Sequence, residues 1–200
     1  MARQSNTENR RSEIVNALHS LLGERGYDGA SVQSIAQRAG LAPGLVHYHF
    51  GNKEEILLAV VQRLVDGIDA RMHTLEAEQD TPWGALDAWI DAHLALGEGA
   101  DLASVAAWVT IGAEALRKPA VRAAYESAVR ADLERGEARV AAVLVHEGRS
   151  GDAGAIARGL LAAIEGCYQL ASAAPSTVPT GFAAPTVRAM ARGLLGARDA

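Results

Sequence analysis

The sequence predicts an all-α protein. Alanine and glycine are abundant, β-branched runs are short, and apolar residues recur at i, i+3, i+4 and i+7 rather than in alternation. No segment makes a convincing strand. At 200 residues and 49% hydrophobic, the chain can bury the core of one or two small domains without metals or disulfides. The single cysteine, Cys167, excludes an internal disulfide and fits a reducing cytosol. Residues 1–15 are mostly polar and lack the apolar core of a signal peptide, and no apolar run is long enough to span a bilayer. A cytoplasmic protein without a membrane partner is expected.

The elements follow in order. Ile14, Ala17, Leu18, Leu21 and Leu22 give a first helix one buried face, and Gly26 with Gly29 marks its end. Ser31 has the character of an N-cap for a short helix carrying Val32, Ile35, Ala36 and Ala39, and Gly40 closes it in a left-handed turn. Pro43 opens another helix, because a first turn does not need its missing N–H. Asn52 caps the next, with Glu55 three positions on, and Ile56, Val60, Leu64, Ile68, Met72 and Leu75 sustain a long stripe over 52–79. Thr81-Pro82 restarts the chain as N-cap and N1. Further helices are predicted at about 82–96, 101–113, 118–147, 152–173 and 186–197, with residues 174–185 a proline-rich loop.

A short helix, a glycine turn and a second short helix make the outline of a helix-turn-helix. Over Ser31 to Leu57 the residues SVQSIAQRAGLAPGLVHYHFGNKEEIL resemble the DNA-binding signature of the tetracycline-repressor superfamily. The resemblance spans about residues 10–60. It implies a three-helix DNA-binding domain, here 1–51, and a helical effector-binding and dimerisation domain, 52–200, joined by the long helix 52–79. It also implies a transcription regulator, a repressor and not an enzyme, that binds double-stranded operator DNA as a homodimer and answers to a small-molecule effector. More loosely, Trp108, Glu114 to Pro119, Glu147-Gly148 and Ile164 to Gly166 are similar to the effector domain of choline-responsive repressors. The sequence departs from the superfamily at His47, where tyrosine is common, and at Ala42, where a capping serine is usual.

The residues themselves suit DNA. Net charge is −5, but residues 1–60 hold six Lys/Arg and six Asp/Glu, so the acidic excess lies beyond them. A recognition helix enters the major groove end-on, and Ala42, Pro43 and Gly44 are small enough for close approach. His47, Tyr48 and His49 offer hydrogen-bonding groups in successive directions, whereas Phe50 packs inward; a solvated surface is the alternative. Lys53 opposes the macrodipole at a helix start, which a phosphate would reverse; otherwise it is an exposed lysine balanced by Glu54 and Glu55. Ser31 and Gln33 stand within reach of phosphates, although Ser31 has a cap role regardless. Histidines two apart on a helix point to different sides, so no metal site is expected, and no cofactor motif is present.

In the second half, Leu86, Trp89, Ile90, His93 and Leu94 share a face, with Asp87 and Asp91 away from it. Trp89, His93, Trp108 and Tyr125 are candidates to line an effector pocket, and the same pattern fits plain core. Ile156, Leu160, Ala163, Ile164 and Cys167, then Val187, Met190, Ala191, Leu194 and Leu195, form the stripes that a two-helix dimer seam needs. Burial within one monomer accounts for the stripes equally well, and the resemblance favours the dimer. Among enzyme signatures the chain has no G-x-x-x-x-G-K-[ST], H-E-x-x-H or G-x-S-x-G. A helix-turn-helix that binds protein instead of DNA remains the third reading.

Overall fold

A computed structural model describes residues 2–96 and 101–196, with side chains from Thr7 onward. Among them are nine α-helices: α1 Ala2–Gly29, α2 Val32–Ala39, α3 Pro43–His49, α4 Lys53–Glu76, α5 Pro82–Leu94, α6 Leu102–Ala115, α7 Pro119–His146, α8 Ala153–Ala173 and α9 Ala183–Leu195. A 3-10 turn at Pro175–Thr177 lies in the expected loop. The bounds move by one to three residues from those predicted, and the last position of the expected 186–197 helix lies outside the described residues. The first helix differs more, since it reaches Gly29 with a break inside it at Gly26, whose φ of 67° needs a residue without Cβ.

Local chemistry sets most boundaries. Ser31 Oγ accepts from Ser34 N–H at 3.1 Å. Past the end of α2, Gly40 is left-handed, its N–H donates to Gln37 O, and Leu41 N–H donates to Ala36 O at 2.9 Å. That pair of bonds is a Schellman closure, and it satisfies carbonyls that the helix end would leave open. Pro43 starts α3 as expected. Asn52 Oδ1 accepts from Glu55 N–H at 2.9 Å, while the Glu55 carboxylate reaches back to Gly51 N–H at 2.9 Å, a capping box displaced by one residue. Thr81, Asp101 and Asp152 cap α5, α6 and α8.

The chain divides into two compact units: residues 1–65 with 101–126, and 66–100 with 127–200. The division does not fall at the expected boundary after residue 51. Ala107, Ile111 and Ala115 of α6 and Val121 of α7 share one core with Ile14, Leu18, Ile35, Val46, Phe50 and Ile56, so α6 packs with the helix-turn-helix. In the second unit α5, α8 and α9 pack on one another around Leu86, Trp89, Ile90, Leu160, Ile164 and Val187. Arg188 and Arg192 of α9 pair with Asp91 at 2.7 Å and Asp87 at 2.5 Å, which gives both aspartates partners across a helix contact.

The Trp89 ring is wholly buried, and a Cβ on Gly136 of α7 would meet it at 2.8 Å. Alanine there would gain up to about 1 kcal/mol of helix propensity and meet a ring with nowhere to go. Gly136→Ala is therefore expected to destabilise by about 1–3 kcal/mol in urea unfolding. Gly67→Ala, on an exposed turn of α4 with open space around it, should stabilise by about 0.4–1 kcal/mol.

Candidate nucleic-acid interface

A seven-residue helix cannot persist by its own hydrogen bonds. Contacts on one side hold α3 in place: Val46 and Phe50 are 1% and 3% exposed, and Phe50 N–H donates to Val46 O at 2.9 Å. Arg11 of α1 adds a second hold, with its guanidinium 4.0 Å from the Phe50 ring centroid and hydrogen-bonded to His49 O. Ala42, Pro43, Gly44, Leu45, His47 and Tyr48 are then left facing out, with His49 half-buried and its ring edge-on to Tyr48 at 5.1 Å. No side chain caps α3, in keeping with alanine at 42.

The charge pattern around this face is sharper than the composition suggested. No Asp or Glu occurs between Asp28 and Glu54, in a chain that holds 24 of them. The interval contains Arg38, Lys53, His47 and His49. Arg38 is held bidentately by Glu24, with both contacts at 2.7 Å, and the pair keeps the Glu24 carboxyl down at about 2. Gln33 is exposed on α2, and Ser31 is exposed while acting as its cap.

Lys53 has a task that the dipole argument did not foresee. Its ammonium donates to Tyr27 O at 2.8 Å and to Ala30 O at 2.9 Å, carbonyls at the end of α1, and stands 3.9 Å from the centroid of the Tyr27 ring. Lys118 approaches the same ring at 4.9 Å while pairing with Glu114. Tyr27 itself is buried. Burial, aided by the charge of Lys118, lowers the Lys53 pKa against the pull of Asp28 and Glu114. The lysine is thus neither idle nor merely balanced by Glu54 and Glu55. The sequence could not reveal this, because the two acceptors are backbone groups 26 and 23 residues away.

The four effector candidates form two pairs, one in each unit. Trp108 and Tyr125 stack with ring centroids 4.6 Å apart and planes 27° apart. Trp89 and His93 belong to a buried polar chain in the other unit. The Trp89 indole N–H donates to Asp132 Oδ1 at 2.9 Å, His93 Nε2 lies 3.1 Å from Asp132 Oδ2, and His93 Nδ1 lies 2.8 Å from the Tyr168 hydroxyl. Burial alone would raise the Asp132 carboxyl; His93, the indole N–H and Arg135 outweigh it and hold it below the usual range. Trp89 and His93 therefore have polar neighbours within the core, and periodicity could not show Asp132 or Tyr168 as those neighbours.

The predicted dimer stripes need correction. Leu160, Ile164, Cys167, Val187 and Ala191 are buried within the single chain, and Ile156 and Ala163 are half-buried. Met190 and Leu194 are exposed, at 45% and 50%. The stripe read as a seam is mostly the core face of α8 and α9. A core and a seam impose the same period, so spacing alone could not separate them.

Residues 14–60 match the sequence profile of the bacterial regulatory proteins of the tetR family. The described all-helical architecture is shared with a transcriptional regulator from Rhodococcus, at 27% identity over 92% of this chain and 95% of that one, with a TM-score of 0.75. The chain thus carries a segment of the tetR type at its helix-turn-helix. The regulator BetI of Rhizobium meliloti is 29% identical over 180 residues, 87% of this chain and 84% of that protein. BetI of Brucella canis is 30% identical over 101 residues, so the chain spans about half the length of that relative. A regulator from Saccharomonospora viridis solved in complex with choline shares the fold, with a TM-score of 0.78 at 22% identity over 94% of this chain and 95% of that one. The likeness to transcription regulators agrees with the expectation of a non-enzyme.

Two outcomes are expected in the first unit. Lys53→Met removes two charge-assisted bonds and should cost about 2 kcal/mol in urea unfolding; an unchanged midpoint would show that the bonds contribute nothing net. His19 of α1 is buried with Nε2 3.1 Å from Ser104 Oγ, and burial, with Arg63, lowers its pKa below the ordinary 6.5 against the pull of Asp101. The unfolded chain then binds more protons, so this stability is complete above about pH 6.5 and lost as pH falls through the lowered value. His19→Gln should reduce the loss of stability between pH 7.5 and 5.5.

Proposed function

We propose that this chain is a ligand-responsive repressor that binds a pseudo-palindromic operator in duplex DNA as a homodimer in the cytoplasm. The observation that carries the reading is a recognition helix anchored by Val46 and Phe50 whose outer face is exposed within a stretch free of carboxylates. A carboxylate there would repel the phosphates on either side of a groove. In this reading Ala42, Pro43 and Gly44 permit close approach. His47, Tyr48 and His49 reach bases or phosphates, and Ser31, Gln33 and the third ammonium proton of Lys53 meet the phosphate backbone.

Gly44 supports the reading independently. Nothing lies within 4 Å of the place its Cβ would occupy, and its φ is not positive, so neither packing nor backbone geometry within the chain calls for glycine. Its helix cost of up to about 1 kcal/mol is offset if DNA must come within a methyl's width of that backbone.

The dimer seam is assigned to the outer faces of α8 and α9, where Gly159, Ala162, Gly166, Met190, Gly193 and Leu194 are exposed and all three glycines have open space above them. Small residues let a partner's helices approach closely, and the two exposed large side chains supply apolar area. The effector is a small molecule contacting Trp89 and His93 or Trp108 and Tyr125. Choline, the ligand held by the Saccharomonospora protein of the same fold, is the first compound to titrate.

The test is selection of fragments from a genomic library by the purified protein, followed by titration over a range of salt. Enrichment of a two-fold symmetric site is the expected result, and no enriched site would sink the proposal. Gly44→Ala should raise the unfolding midpoint while weakening binding to that site. Gly166→Glu should give a folded monomer by sedimentation velocity, with operator affinity lost. Leu160→Glu, which places a charge in the monomer's core, should fail to fold. For the effector, Trp89→Phe and Trp108→Phe should each be compared with wild type for ligand-dependent fluorescence, with and without operator. A true effector changes operator affinity and is itself bound with an affinity changed by the same factor.

A further inference from the structure

The face of α3 is not uniformly polar. Among described residues 7–95, the large apolar side chains left exposed are Leu45, at 43%, and Tyr48, at 76%. They are three residues apart on one helix, hence neighbours on one face, and Val46 and Phe50 are turned into the core behind them. A lone exposed leucine needs no explanation, but two large apolar side chains adjoining the open backbone of Gly44 form a patch.

Resting on the DNA-binding reading above, we infer that Leu45 reads the C5-methyl group of a thymine in the major groove of each half-site, with the Tyr48 ring flanking it. The chemistry of the groove decides the occupant. Leu45 has no polar atom with which to discriminate base-edge donors and acceptors, and the apolar feature that a base pair displays in the major groove is the thymine methyl. The absence of carboxylates from residues 29–53 makes the surroundings compatible with an anionic duplex, and the patch is continuous with the remainder of the proposed reading face. Leu45 thereby becomes a specificity-determining residue, in a region where spacing had singled out His47, Tyr48 and His49.

The probe is the duplex site selected by the wild-type protein, remade with deoxyuridine at one thymine at a time. The exchange removes only the methyl and leaves pairing and the O4 acceptor intact. Wild type should bind about fourfold more weakly when one particular thymine of a half-site is replaced, and about sixteenfold more weakly when its symmetry mate is replaced as well, as expected for one buried carbon per contact. Leu45→Ala, an exposed position whose folding is checked by circular dichroism, should still bind the site but no longer distinguish thymine from uracil there. If every uracil-substituted site binds wild type as tightly as the original, the inference about Leu45 fails and the DNA-binding reading survives. If Leu45→Ala keeps the full preference for thymine, the methyl is read by another side chain and the assignment to Leu45 is wrong. Failure to select any site overturns both the inference and the reading on which it rests.

Discussion

The proposed reading head depends on the burial of Val46 and Phe50. Helix α3 has seven residues, no side-chain cap and a glycine in its first turn, each of which argues against its persistence in isolation. Its position is therefore determined by the burial of these two side chains in the shared core, where α3 packs on α1 and α2. Everything proposed for its outer face follows from that constraint, because the directions of Leu45, His47 and Tyr48 are fixed once Val46 and Phe50 are. The Schellman closure at Gly40 acts to the same end by setting where the chain leaves α2.

Two units of different character share the chain. The first is a helix-turn-helix to which α6 and the beginning of α7 add their apolar faces. The second buries a chain of polar groups, Trp89, Asp132, His93 and Tyr168, in which the indole, imidazole and phenol each have a partner. Such a network costs desolvation and restores it through directional bonds, so it favours one arrangement of α5, α7 and α8 over near alternatives. A ligand that engaged His93 or Tyr168 would have to replace a bond already made, which makes the network selective about what it admits.

Much of the fold was legible because capping and turn residues act locally. Ser31, Gly40, Pro43, Asn52, Thr81 and Pro82 each do in the structure what their chemistry predicts, within three or four residues of themselves. Illegible features were those whose partners are distant in sequence or whose period is ambiguous. The acceptors of Lys53 are backbone carbonyls at the end of another helix, invisible to any reading of side-chain spacing. The stripes of Leu160, Ile164, Val187 and Ala191 carry the same period whether they face the core or a second chain, and only burial resolves them. Leu45 is illegible for a related reason: in a helix this short, apolar periodicity does not show which of two adjacent residues, Leu45 or Val46, faces inward.

The pairing of Arg38 with Glu24 bears on how such a protein would search a genome. Its guanidinium is one of the few cations near the proposed interface, and a carboxylate held at about 2 stays ionised at any physiological pH, so the pair carries no net charge there. Arg10 likewise has a carboxylate beside it, Glu13 at 2.7 Å. Each arginine that brings its own counter-charge displaces fewer ions from the duplex, and displaced ions are the main source of affinity for DNA of arbitrary sequence. A reading head that economises on free cations spends less time on the wrong sites, and its hold on the right one rests correspondingly on the fit of α3 to the groove.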